Sequence, residues 1–112
     1  MKILQLAENI FVSDQIYKND IQILASEGFG SIVNNRPDRE EINQPLSQEL
    51  ELTAKDLGVF FVHIPVVTVP ITNVELKAFN MVFDRLEKPT LLFCRTGHRS
   101  SEIWRAHSIL YG

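Results

Sequence analysis

A single cysteine in 112 residues excludes an internal disulfide. An unpaired thiol either packs as a small core residue or works as a thiol. In the second case it needs a reducing compartment, so the cytoplasm is the expected location. Positive charge is also scarce. Eleven Lys and Arg against fourteen Asp and Glu give a formal charge of −3, which argues against nucleic-acid binding because a phosphate backbone is gripped by surplus Lys and Arg. No apolar run approaches the roughly 20 residues of a membrane span, so no membrane partner is expected. The opening MKILQLAENIF is broken by Gln5 and Glu8 and lacks the apolar stretch of a signal peptide. His63 has no second histidine or cysteine at metal-ligand spacing, so neither a metal nor a cofactor is expected. Repeats, low-complexity tracts and linkers are missing as well. With 45% hydrophobic and 22% charged residues, the chain reads as one soluble globular domain spanning residues 1–112.

What is present alternates between strand and helix signals. KILQL and the alternating Asn9–Ser13 predict one or two opening edge strands. Asn19 or Asp20 is expected to cap a helix that turns Ile21, Leu24 and Ala25 inward and ends at Gly28. Ser31–Asn34 predicts a short buried strand, and NRPDREEINQP, from Asn35 to Pro45, an exposed loop. Ser47–Leu57 follows as a helix with Leu50, Ala54 and Leu57 on one face. The continuous apolar run Val59–Ile64 suits a strand covered on both sides. Thr72 and Glu75 have capping-box spacing before a helix presenting Leu76, Phe79, Phe83 and Leu86. Thr90–Phe93 is a last strand, and a helix is expected from about Ser100 to Leu110. The order predicts an α/β fold, a mostly parallel central sheet with helices on both faces, whose ligands collect at the carboxyl ends of the strands. Three loops meet that rim: Asn35–Pro45, Pro65–Asn73 and Cys94–Ser100.

The third loop, CRTGHRS, carries the chemistry. A loop from a parallel strand into a helix turns backbone N–H groups inward, and the helix dipole adds positive charge. Such a cradle stabilises a thiolate and binds an oxyanion beside it. Arg95 and Arg99 supply guanidinium groups able to grip two oxygens of one anion. Gly97 suits a tight backbone, and Ser100 either caps the following helix or donates a hydrogen bond to the sulfur. His98 either tunes the thiolate or faces solvent. Cys94 is therefore read as a reactive thiol. Arg36 holds an anion or pairs with Asp38, and Glu40 and Glu41 read as a solvated loop. His107 and Trp104 are expected to pack or to sit half-exposed.

NRPDREE after the second strand, IPV after the third, and CRTGHRS followed by a helix beginning with a Ser-x-x-x-Trp pattern (Ser100, Trp104) together resemble the bacterial beta-lactamase-hydrolase-like, phosphatase-like family. That family is a branch of the cysteine-dependent protein phosphatase superfamily, and the resemblance runs from Leu6 to Tyr111. It implies a three-layer α/β/α fold like that of protein tyrosine phosphatases. Further C-terminal helices of the superfamily would then lie outside these residues. It also implies a phosphorylated substrate or small oxyanion, with Cys94 as nucleophile and a phosphocysteine intermediate. Arg99 would hold phosphoryl oxygens, the amides from Arg95 through Thr96, Gly97 and His98 to Arg99 would form the cradle, and Ser100 would ease release of the sulfur. Two departures stand out. Four residues separate Cys94 from Arg99 where the wider superfamily has five, a spacing also found in rhodanese-like sulfurtransferases that carry a persulfide. The loop Pro65–Asn73 also lacks the aspartate that usually protonates the leaving group. Asp38 is the alternative acid, although pairing with Arg36 or Arg39, or capping a turn, is an equal use for it. Without an acid, a weakly catalytic anion-binding module is a third reading.

Overall fold

The computed structural model describes Met1–Gly112 and contains five strands and four helices. In chain order they are β1 (Ile3–Ala7), β2 (Ile10–Ser13), α1 (Lys18–Ser26), β3 (Ser31–Asn34), α2 (Ser47–Asp56), β4 (Phe60–His63), α3 (Asn73–Phe83), β5 (Thr90–Phe93) and α4 (His98–Tyr111). The strands form one sheet in the order β1-β2-β5-β3-β4, parallel except for the antiparallel β1–β2 pair. The expected class is therefore observed.

Strand alternation sends successive side chains to opposite faces, and β3 and β5 show why both faces must be covered. Ile32, Leu91 and Phe93 join Ile21 and Leu24 of α1 and Leu50 and Ala54 of α2 in one cluster. Val33 and Leu92 join Phe79 of α3 and Ile103 of α4 in the other. Helices α1 and α2 thus cover one face, and α3 and α4 cover the other. The helix after β5 lies on the opposite face from those after its neighbours β2 and β3. The loops part at that point, beside the central strand, which is where open sheets bind ligands.

Several local expectations are corrected. β2 is interior, flanked by β1 and β5, so only β1 of the two opening strands lies at the edge of the sheet. α1 begins before Asn19 and Asp20, and the Asp20 carboxylate reaches back to accept the Tyr17 N–H at 2.9 Å. Leu57 caps α2 as an exposed residue. α4 starts at His98, two residues earlier than expected, so Ser100 lies inside it. The Thr72–Glu75 capping box is present, with each side chain accepting from the other's backbone N–H. On the α3–α4 side, His107 is buried against Phe79, Phe83 and Trp104 and bonds Asn80 Oδ1 at 2.9 Å. Burial pushes its imidazole pKa down, and the nearby Asp84 carboxylate partly offsets this.

Candidate active site

Cys94 directly follows the last residue of the central strand and is fully buried. The chain then turns sharply. Gly97 takes φ 97°, a left-handed conformation that L side chains rarely adopt, and a Cβ there would stand 3.4 Å from the Ser13 carbonyl oxygen. This turn points the Gly97 N–H at the sulfur, donating to Cys94 Sγ at 3.1 Å. The amide serves at once as the end of the loop and the N-cap of α4, so the helix dipole adds to its positive character. Thr96 Oγ1 accepts the His98 N–H at 3.3 Å, and the Gln15 N–H donates to the Arg95 carbonyl at 3.2 Å, tying the loop to the segment after β2.

Arg99, one residue into α4, has its guanidinium held from two sides. Nη1 donates to Glu40 Oε2 at 2.7 Å and to the Val66 carbonyl at 2.9 Å, while Nη2 donates to Glu40 Oε1 at 2.9 Å. Three of the five guanidinium N–H groups are thereby used. The remaining two, Nε–H and the second Nη2–H, lie parallel along one edge and meet no oxygen acceptor in the protein. Glu40 raises the Arg99 pKa against the opposing effect of partial burial, and the Cys94 side chain adds to the rise.

Glu40 is itself fixed. Besides Arg99 it accepts from Arg36 Nε at 2.9 Å. The Arg99 guanidinium above all, with Arg36 beside it, brings its carboxyl down to about 2 against the opposing effect of partial burial. Arg36 is the hub of the loop at only 3% exposure. It reaches Glu40, Glu41 (Nη2, 2.7 Å) and Gln15 Oε1 (Nη1, 2.9 Å), and its carbonyl accepts from His63 Nε2 at 2.8 Å. Glu41 also pairs with Arg95 Nε at 3.0 Å. Three guanidinium groups thus share two carboxylates in one network.

The remaining sequence candidates fall around this centre. Asp38 Oδ1 accepts the Ser47 N–H at 2.8 Å, so the carboxylate caps the start of α2 and is not paired with Arg36 or Arg39. Ser100 is fully buried, and its hydroxyl donates to Asn35 Oδ1 at 2.8 Å, neither to the sulfur nor to a helix end. Arg95, Thr96 and His98 are exposed, and His98 borders a shallow groove with Lys2, Leu4 and Ser13 on the β1 side. Further residues of the site have no clear signal in the sequence. Asn35 opens the loop expected to be exposed but is fully buried, and its Nδ2 donates to the Ile64 carbonyl at 2.9 Å. Glu40 and Glu41 are exposed, as a solvated loop implies, but they are also struts of the site, each held by Arg36. The four-residue spacing from Arg36 to Glu40 was the available signal.

The chain is also similar to known proteins. The family model for the phosphatase-like domain of beta-lactamase hydrolase-like proteins matches residues 2–110. A beta-lactamase hydrolase-like protein from Xylella fastidiosa is 30% identical over 112 residues, 100% of this chain and 26% of that protein. The chain thus spans about a quarter of that relative's length. Among solved structures, a candidate phosphatase from Neisseria meningitidis is 37% identical, with a TM-score of 0.82 over 93% of this chain and 74% of that one. The core catalytic domain of the PP-IP phosphatase Siw14 from S. cerevisiae is 20% identical and shares the fold, with a TM-score of 0.64 over 85% of this chain and 56% of that one. A model match over nearly every residue, on a sheet that carries the cysteine loop at its central strand, assigns this chain to the phosphatase-like domain family of beta-lactamase hydrolase-like proteins.

Proposed function

We propose that the chain is a cysteine-dependent phosphatase-like hydrolase acting on a phosphorylated protein or a small phosphoester. The observation that carries this reading is the edge of Arg99 that has no oxygen partner in the protein. With Glu40 and Val66 occupying the other donors, the two parallel N–H groups left over match the spacing of two oxygens of one phosphoryl group. Cys94 Sγ would attack phosphorus and form an S–P bond as the P–O bond to the leaving group breaks. Amides of the Arg95–Arg99 segment and the Arg99 edge would stabilise the equatorial oxygens, with Arg95 adding field from the rim. Water would then displace the sulfur. Its electron pair returns to Cys94 as thiolate, and the water's proton leaves with inorganic phosphate or to solvent.

One feature favours a second reading: the four-residue interval between Cys94 and Arg99 also suits a sulfurtransferase carrying a persulfide on Cys94. A paired assay decides between them. Wild type is expected to release phosphate from an aryl phosphate, with Cys94→Ser inactive and a phosphorylated Cys94 trapped on rapid acid quench. Thiocyanate formation from thiosulfate and cyanide, with a persulfide on Cys94 and no phosphate release, would establish the second reading instead. Anion binding with neither activity would leave the chain as a binding module.

A further inference from the structure

Each carboxylate around the site already has a structural partner. Asp38 caps α2 at Ser47, Glu40 braces Arg99 and Arg36, and Glu41 bridges Arg36 and Arg95. At the other loops of the rim, Asp14 Oδ1 accepts the Lys2 N–H at 2.9 Å. Glu75 gives one oxygen to the Thr72 N–H at 2.9 Å and the other to the Val67 N–H at 3.4 Å. His98, the remaining titratable side chain of the cysteine loop, opens towards the β1 side, whereas Glu40, Val66 and the Arg99 fork stand on the side of β3 and β4. The segment nearest the fork is the one that supplies the Val66 carbonyl. Beyond Val66 it exposes Val67 and Val69 and has no acidic side chain before Glu75.

Taking the cysteine-phosphatase reading as its premise, we propose that this site serves phosphoryl donors whose leaving group departs as a stabilised anion, namely aryl phosphates, acyl phosphates and phosphoanhydrides, and rejects alkyl phosphates. In the first step the S–P bond forms, the P–O bond breaks, and the electron pair stays on the departing oxygen. That oxygen takes no proton from the protein and later gains one from water if it is basic enough. A phenol, with a pKa of about 10, tolerates such a departure far better than an alcohol. The second step needs no acid, because the thiolate is itself a good leaving group. A positioned general acid typically contributes about 10²–10⁴ in rate, and its absence appears as selectivity among donors.

The test is kcat/KM for phosphate release by wild type across substituted phenyl phosphates, a phosphotyrosine peptide, acetyl phosphate and pyrophosphate, against glycerol phosphate and a phosphoserine peptide. Rates are expected to fall steadily as the leaving phenol becomes less acidic, with the alkyl donors at least about 10²-fold below the phenyl series. The acyl and anhydride arms show which stabilised anion is preferred. Asp38→Asn is expected to leave the dependence on leaving-group acidity unchanged. Alkyl donors within about tenfold of the phenyl series, or a steeper dependence in Asp38→Asn, would reveal a working acid and overturn the inference alone. Phosphate release from no donor, with wild type and Cys94→Ser alike, would remove the underlying phosphatase reading.

Discussion

Two loops flank the cysteine turn, and they support it by opposite means. The loop after β3 uses side chains: a buried Arg36 holds two carboxylates, and one of these grips Arg99. The loop after β4 uses its backbone, offering the Val66 carbonyl to the same guanidinium and showing apolar side chains to solvent. Both converge on Arg99, but only the first depends on which residues stand where. The lesson is that functional weight and polarity of a segment need not coincide: the charged loop is rigid scaffold, and the apolar one is the free lip of the site.

The largest disruption is expected where the two loops meet. Arg99→Lys keeps the charge but loses the planar fork, so neither Glu40 nor Val66 can aim it. Aryl phosphate turnover should fall at least about 10²-fold in steady-state assays. Next is Glu40→Gln, which breaks the side-chain support while leaving the carbonyl. A drop in kcat of about tenfold is expected from the loosened guanidinium. The same variant has a pH signature. The folded pKa of Glu40 lies below its ordinary value, so its stabilising contribution is full above 4.5 and is lost as pH falls towards about 2. Denaturant melts should show wild type more stable than Glu40→Gln at neutral pH, with the gap closing across that acid window. A gap independent of pH would mean that the carboxylate charge is not what holds the loop.

A smaller effect should come from Arg39, which precedes Glu40 with φ 64°, a left-handed conformation uncommon for a residue with a side chain. Arg39→Gly should relieve that strain and stabilise the fold by up to about 1 kcal/mol, read as a raised urea midpoint. On the other loop, Val67 is 69% exposed and engages the structure through its backbone, so Val67→Ser should change stability by less than about 0.5 kcal/mol. A cost well above that would show the apolar lip to be packed in solution, erasing the contrast between the loops.

The layered architecture was legible because it rests on local patterns. TLLF must be buried on both faces, and Gly28 and Gly58 stop two helices by adopting positive φ. The cysteine turn was legible because cysteine, glycine and arginine fall within one short string. Long-range pairing was not. Nothing near Glu40 in the chain announces that Arg99, 59 residues on, completes its coordination. A pair of adjacent glutamates beside arginines has the composition of a solvated loop. Val59–Ile64 reads as covered on both faces, and it is, but its place at the edge of the sheet has no local signature. Ser100 has the sequence position of a cap, but α4 begins two residues earlier and leaves it inside the helix, where Asn35 Oδ1 accepts its hydroxyl hydrogen bond.

The burial of Arg36 also divides the rim by its response to ionic strength. Mobile counterions weaken pairs open to water, such as Arg95 with Glu41, whose side chains are 63% and 53% exposed. They reach Arg36 and its bond to Glu40 far less. In concentrated electrolyte Arg95 is therefore set free to swing, while the Glu40 brace on Arg99 persists. The site then keeps its aim, and only the long-range field of the rim changes.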